Sequence, residues 1–278
     1  MTGTLFLCAT PIGNLGDITS RVLDTLQEVD MIAAEDTRNS LKLLNHFHIR
    51  TPLTSYHEYN KVEKAEQILC WLREGKNIAL VTDAGTPAIS DPGEVLVEKC
   101  LKEGIPVTSL PGCCACITAL TLSGLSTRRF CFEGFLPSDK KEKREILEEL
   151  KRETRTMILY EAPHHLRKTL AGLYEVLGER RITLCRELTK RFETIFPTTL
   201  AEAIAFYEEN APRGEYVLVI EGMSREGQRK EEQKSWAQLS IEEHMNFYEE
   251  QGMDRKEAMK KVAADRGVGK REVYQALL

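Results

Sequence analysis

Short apolar runs alternate with amphipathic stretches from Leu5 to Ile220, and this alternation limits the fold more than any other feature of the chain. Strand-like runs fall at Leu5–Ala9, Met31–Ala34, Ile78–Thr82, Val107–Leu110, Phe130–Phe132, Thr156–Tyr160, Ile182–Cys185 and Tyr216–Ile220. Helical patterns lie between them. In the first, Ile18, Val22, Leu26 and Val29 recur at spacings of four, four and three, which is one face of a helix, and Asp17 is placed to cap it. Further helices are expected near 38–46, 61–73, 92–102, 114–123, 140–152, 164–177 and 199–208. Strand, helix, strand repeated in this way predicts an α/β protein with largely parallel sheets.

In such sheets ligands bind at the carboxyl ends of the strands, so the loops that follow the strands carry the functional question. The most informative is Val-Thr-Asp-Ala-Gly-Thr-Pro-Ala-Ile-Ser-Asp-Pro-Gly, residues 81–93. It has the glycine and proline content of a nucleotide-binding loop, yet it holds Asp83 and Asp91 and no lysine or arginine. Two carboxylates a few ångströms from a phosphate repel it, whereas they attract a cation and accept hydrogen bonds from ribose hydroxyls. The loop therefore suits a nucleoside without phosphate that carries a positive centre, and S-adenosylmethionine meets that description.

Other strand-end loops are less specific. Thr10-Pro11-Ile12-Gly13-Asn14-Leu15-Gly16-Asp17 fits a ligand loop or a structural turn; it lacks the Gly-Lys-Ser/Thr of a phosphate loop and the GxGxxG spacing. Ala33-Ala34-Glu35-Asp36-Thr37-Arg38 fits a reactive cluster or a helix cap. Leu110-Pro111-Gly112-Cys113-Cys114-Ala115 is a small-residue turn opening a helix. The segments Tyr160–His165, Arg186–Lys190 and Arg213–Tyr216 each also read as ordinary surface loops.

Charge and cysteine content narrow the class. A net charge of −5 gives no global cationic field, so any nucleic-acid contact needs local patches such as Lys140, Lys141, Lys143 and Arg144. The eight cysteines of a 278-residue chain do not form a disulfide framework; Cys113–Cys116 contains a CxxC without a second pair or histidines at ligand spacing. Buried thiols in a reducing cytoplasm are expected, with no metal. The start Met1–Ala9 lacks the basic region of a signal peptide, and the uncharged stretch Gly104–Thr127 is broken by Pro106, Pro111 and Gly112, so no membrane span is expected.

Taken in order, TPIGNLGDIT, AAEDTR, NIALVTDAGTPAISDPG, LPGCCACITAL, RFCFEGFLP, ILYEAPHHL, CRELTK and RGEYVLVIEG are similar to the motifs of the ribosomal RNA small subunit methyltransferase I family. That family lies within the tetrapyrrole-methylase superfamily of S-adenosylmethionine-dependent enzymes. The resemblance implies two α/β domains with the methyl donor in a cleft between them, a homodimer, and methylation of a cytidine ribose 2′-hydroxyl in small-subunit rRNA near the decoding centre. By position it places donor contacts on Pro11, on Asp83, Ala84, Gly85 and Thr86, on Ile89 and Asp91, on Gly112, Cys114 and Ala115, and on Tyr160, Arg213 and Gly214. Cys113 stands where many relatives carry proline, which makes that turn less rigid.

The boundaries expected are an N-terminal α/β domain over 1–125, a second over 126–222, a polar linker over 223–239, and a helical tail over 240–278. Ser240 with Glu243, and Asp254 with Glu257, read as capping boxes in that helix-turn-helix-like tail. Its Arg255, Lys256, Lys260, Lys261, Arg266, Lys270 and Arg271 are candidate RNA contacts, or a solvated face. For the chemistry, Glu35 and Asp36 are the first candidates for the base and Glu187 the second; Arg38 and Lys190 would hold phosphates or ease charge on the attacking oxygen. Competing readings are a methylase of a tetrapyrrole or protein side chain, and a non-catalytic assembly factor that binds the donor and RNA.

Overall fold

The computed structural model describes residues 2–278, apart from the side chains of residues 230–232. The chain forms two compact units: one runs to Leu147 and resumes at Thr156–Glu221, and the other joins Glu148–Arg155 to Gly222–Leu278.

The first unit begins with a five-stranded parallel sheet. Its strands are β1 (Leu5–Cys8), β2 (Met31–Ala34), β3 (Leu53–Ser55), β4 (Ile78–Val81) and β5 (Val107–Leu110), in the order β3-β2-β4-β1-β5. Alternation along each strand decides which face a side chain covers. Leu5, Leu7, Ile78 and Leu80 pack with Ile68, Leu69 and Leu72 of α3 (Lys61–Arg73) and Leu96 of α4 (Gly93–Lys102). Cys8, Ile32, Ala79 and Val81 face the other way, onto Val22 and Leu26 of α1 (Ser20–Glu28) and Leu44 of α2 (Thr37–His46). A parallel sheet covered on both faces explains why the inner strands β1, β2 and β4 read as continuous apolar runs.

A second five-stranded sheet follows, from β6 (Phe130–Phe135), β7 (Thr156–Glu161), β8 (Arg181–Arg186), β9 (Thr194–Thr199) and β10 (Tyr216–Ile220), ordered β6-β7-β10-β8-β9. Only β6 and β7 run parallel; the other three pairings are antiparallel, which corrects the expectation of largely parallel sheets. The reason is the direct return from β8 to β9, which pair as antiparallel neighbours, where a helical crossover would have kept the strands parallel. The helices of this half are α6 (Lys140–Leu150), α7 (Leu166–Leu177) and α8 (Leu200–Glu209). One face of the sheet is covered by α5 (Ala115–Leu122): Cys116, Ala119 and Leu120 pack on Ile158, Cys185 and Val219.

The remaining helices are α9 (Arg225–Ala237), α10 (Ile241–Glu250), α11 (Arg255–Arg266) and α12 (Lys270–Ala276). Met245, Tyr248, Ala258, Val262 and Val273 form the core of the last three. Helix α9 occupies most of the segment expected to be a polar linker: Ser224 caps it through Gly227 N, and polarity there marks exposed helix surface rather than free chain. The Ser240–Glu243 capping box closes in both directions, whereas Asp254 caps α11 by accepting from Lys256 and Glu257 amides. Asp17 sits in a short 3₁₀ turn, and Thr19 caps α1 instead, because that turn delays the helix start. Arg266 is a structural residue: it donates to Leu239 O at 2.6 Å, Ser240 O at 2.8 Å and His244 Nδ1 at 3.1 Å. No helix among the described residues is long and apolar enough to cross a membrane.

Candidate functional site

The carboxyl ends of β1, β4 and β5 bring three of the singled-out loops together. The loop after β4 pairs with the loop after β1 through a two-way bridge, Thr10 N to Gly85 O at 2.9 Å and Gly85 N to Thr10 O at 3.0 Å. Thr86 Oγ1 donates to Cys113 O of the loop after β5 at 2.8 Å. Gly85, Ala88 and Ser90 have φ of +87°, +67° and +65°. Two non-glycine residues in the left-handed region are strained, and such strain gathers at ligand sites. Asp91 stabilises the bend, accepting from Ile89 N at 3.0 Å and from Gly93 N, at the start of α4, at 2.8 Å.

These loops form one wall of a cavity of about 410 Å³, within the range of small-molecule sites. Glu35, Thr82, Asp83, Ala84, Gly85, Thr86 and Ile89 line that wall, with Cys114 and Ala115 at the start of α5. The opposite wall comes from the second sheet and its loops: Phe135, Tyr160, Glu161, Glu187, Lys190, Glu215 and Tyr216. Gly13 lets the walls meet, since a Cβ there would lie 2.3 Å from Lys190 Cγ and 2.9 Å from Thr189 Oγ1.

The electrostatics of the cavity are acidic. Glu35, Asp83, Glu161, Glu187 and Glu215 face Lys190 as the one basic residue among its lining. Lys190 is itself claimed by Glu187 at 2.9 Å and Glu215 at 2.8 Å. The Glu215 amide and then Lys190 hold the Glu187 carboxyl below the usual range. Glu161 is buried, with Oε1 accepting from Ala162 N and Oε2 from Thr169 Oγ1 at 2.5 Å; Thr169 in turn accepts from Lys143 Nζ at 2.9 Å. Tyr160 packs edge-on to Phe132 and Phe135, and burial pushes its phenol up.

Of the residues singled out in the sequence, Glu35, Asp83, Ala84, Gly85, Thr86, Ile89, Cys114, Ala115, Tyr160, Glu187 and Lys190 line the cavity. The others stand behind or beside it. Asp36 caps α2 and pairs with Arg38 at 2.7 Å; that guanidinium brings its carboxyl down to about 2. Pro11 lines a neighbouring cavity of about 270 Å³ with Thr10, Leu15, Asn39 and Lys42; Asp83 borders both. Gly112 packs under Ala9, Asp91 holds its own turn, and Gly214 and Arg213 sit behind Glu187 and Tyr216. Ile12, Glu161, Glu215 and Tyr216 lie in loops that the sequence reading named without singling out these residues, and Phe135 was not singled out either. The motifs FEGFLP, YEAP and RGEY held the last four, and their strand-end position was the available signal.

A family model for tetrapyrrole (corrin/porphyrin) methylases matches residues 4–204, and with the two-sheet fold it makes this chain a tetrapyrrole methylase in class. The uroporphyrin-III-C-methyltransferase of Thermus thermophilus, at 19% identity, superposes with a TM-score of 0.56 over 78% of this chain and 94% of that one, a likeness of fold. Within the class, the chain is 50% identical over 273 residues to the ribosomal RNA small subunit methyltransferase I of Halalkalibacterium halodurans, covering 98% of this chain and 93% of that protein. It is 50% identical over 274 residues to the protein of the same name from Bacillus subtilis, covering 99% and 94%. The chain belongs to the ribosomal RNA small subunit methyltransferase I family.

Proposed function

We propose that this protein transfers a methyl group from S-adenosylmethionine to the 2′-hydroxyl of a cytidine in small-subunit rRNA. The observation that carries the reading is the acid-lined cavity at the strand ends, which disfavours phosphate and suits a cationic nucleoside. The residues present fit such a donor: Asp83 and the Ala84–Thr86 turn offer a carboxylate and backbone at one wall, and Tyr160 and Phe135 offer aromatic surface at the other. When bound, the donor supplies a methyl group on a sulfonium, already activated for displacement.

The chain's own part is alignment and proton removal. Glu35 Oε2 accepts from Thr82 Oγ1 at 2.8 Å, which orients the carboxylate and leaves Oε1 to receive the ribose proton. Glu187, with Oε1 shared between Lys190 and the Glu215 amide, is the second candidate for that role. Asp36, bound to Arg38, shapes the start of α2. The neighbouring cavity beside Asp83, with Lys42 on its rim and Arg38 close by in sequence, suits the nucleotide and its phosphates. The names of the relatives support rRNA as the substrate, and the resemblance of motifs supports the ribose and the homodimer; the assembled subunit as substrate and the cytoplasm as location complete the proposal. The test is incubation with unmodified small subunits and labelled donor, followed by mapping of the methylated nucleotide. Label on one cytidine ribose is expected; label on a base, on protein or on a tetrapyrrole overturns the reading.

A further inference from the structure

Cys114 and Cys116 stand at the first turn of α5, and their sulfurs are 3.3 Å apart. Cys114 lines the cavity; Cys116 is buried behind it, its amide donating to the phenol oxygen of Tyr160 at 3.2 Å. A disulfide needs the sulfurs at about 2.05 Å, so closing the gap takes little more than an ångström of side-chain movement. The two thiols are unequal: the Cys116 thiol, hydrogen-bonded to Cys114, favours thiolate on Cys114 and is itself held protonated. A helix N-terminus favours the same anion. The arrangement pairs an accessible nucleophilic sulfur with a resolving one.

We propose that Cys114 and Cys116 are a reversible oxidation site in the cavity wall, converted by a peroxide to a disulfide that weakens binding of the methyl donor. The Cys114 thiolate attacks one peroxide oxygen; the S–O bond forms, the O–O bond breaks, and the departing hydroxide takes a proton to leave as water. The Cys116 sulfur then attacks Cys114; the S–S bond forms, the S–O bond breaks, and the thiol proton leaves with hydroxide as a second water. Two sulfurs are oxidised and one peroxide is reduced; a dithiol restores both thiols. The bridge ties the lining Cys114 sulfur to the buried Cys116 and rearranges a turn that Thr86 and Tyr160 both grip. The weakened binding rests on the donor assigned to the cavity above, and the oxidation itself does not.

The experiment treats the reduced full-length protein with hydrogen peroxide, counts free thiols by alkylation and intact mass, and measures S-adenosylmethionine binding by calorimetry before and after. Wild type and C113S should each lose two thiols and bind about tenfold more weakly, with both effects reversed by dithiothreitol and slowed by prior addition of the donor. In C114S, binding should be the same with and without peroxide; C116S should form no bridge, its Cys114 stopping at the sulfenic acid, which intact mass reads as one added oxygen. Retention of all thiols in wild type, loss of the bridge in C113S, or unchanged binding by the bridged protein overturns the proposal. Reduced protein that binds no donor at all overturns the proposed function instead, while the thiol count still decides the oxidation site.

Discussion

Glu187 and Gly214 occupy adjoining space that a single methyl group would close: a Cβ on Gly214 would lie 2.4 Å from Glu187 Cγ and 2.7 Å from its Oε1. Gly214 also has φ of +75°, and Glu187 itself is left-handed at +52°. The glycine therefore acts at the cavity through Glu187, as the place into which that side chain folds to meet Lys190 and the Glu215 amide. Gly214→Ala should cost about 1–3 kcal/mol from backbone strain and displacement together, read as a lower denaturant midpoint. It should also weaken donor binding with the cavity's Asp83 wall intact. Wild-type stability and binding in this variant would show that the turn yields freely.

Glu35 and Asp36 are neighbours in sequence with different surroundings. Glu35 lines the cavity under a hydrogen bond from Thr82, while Asp36 is held at about 2 by Arg38 and caps a helix. A carboxylate that far below neutrality is a poor proton acceptor. Glu35→Gln should lower turnover about 100-fold with donor affinity little changed, the size expected of a lost general base. Asp36→Asn should keep turnover close to wild type. Single-turnover methylation of small subunits, with binding measured separately, distinguishes them; the reverse ranking would move the base to Asp36.

Strands β1, β2 and β4 of the first sheet were legible because they are almost wholly buried and the intervening helices keep a 3.6-residue period, as with Ile18, Val22 and Leu26. Strand β3 has only three residues, Leu53–Ser55, and β9 contains Pro197 within Thr194–Thr199, so neither shows the apolar run that marks a central strand. The direction of β8, β9 and β10 depends on which strands pair, and pairing leaves no local signature in the residues themselves. The cavity divides in the same way. Its first wall follows glycine-rich loops whose composition is unusual, whereas Phe135, Glu161 and Tyr216 stand at strand ends among ordinary alternating residues.

His244 should make the helical tail sensitive to acid. It is fully buried, stacked on Trp236 with ring centroids 3.8 Å apart, and accepts from Arg266 at Nδ1. Burial, and then the Arg266 charge, keep its pKa below the ordinary 6.5, although Asp265 at 3.6 Å acts in the opposite direction. Tyr248 also faces this ring. The unfolded chain therefore takes up a proton near pH 6.5 that the folded tail resists, and stability falls as pH drops below that value. With Trp71 replaced by Phe, Trp236 fluorescence should report a lower unfolding midpoint at about pH 5.5 than at about pH 7.5, and His244→Phe should flatten the difference. An equal midpoint at both values in the wild-type background would mean that His244 is protonated without cost.

The basic residues of the tail separate into structural and free groups. Arg266 holds the start of α10 through Leu239 O, Ser240 O and His244, whereas Lys256, Lys260, Lys261, Lys270 and Arg271 are exposed. If the exposed set binds rRNA phosphates, each lost contact lowers the salt slope of binding by about one unit while sequence preference stays the same. The double change Lys260→Glu and Lys261→Glu should weaken RNA binding most at low salt, with the tail still folded and donor binding unchanged. Arg266→Ala should act differently: it strands the His244 acceptor and two carbonyls at the turn into α10, so the tail loses stability, and RNA binding falls only as far as the tail unfolds. Filter binding across a salt series, with circular dichroism on the same samples, separates the two effects. Undiminished RNA affinity in the lysine variant would assign those side chains to solvent.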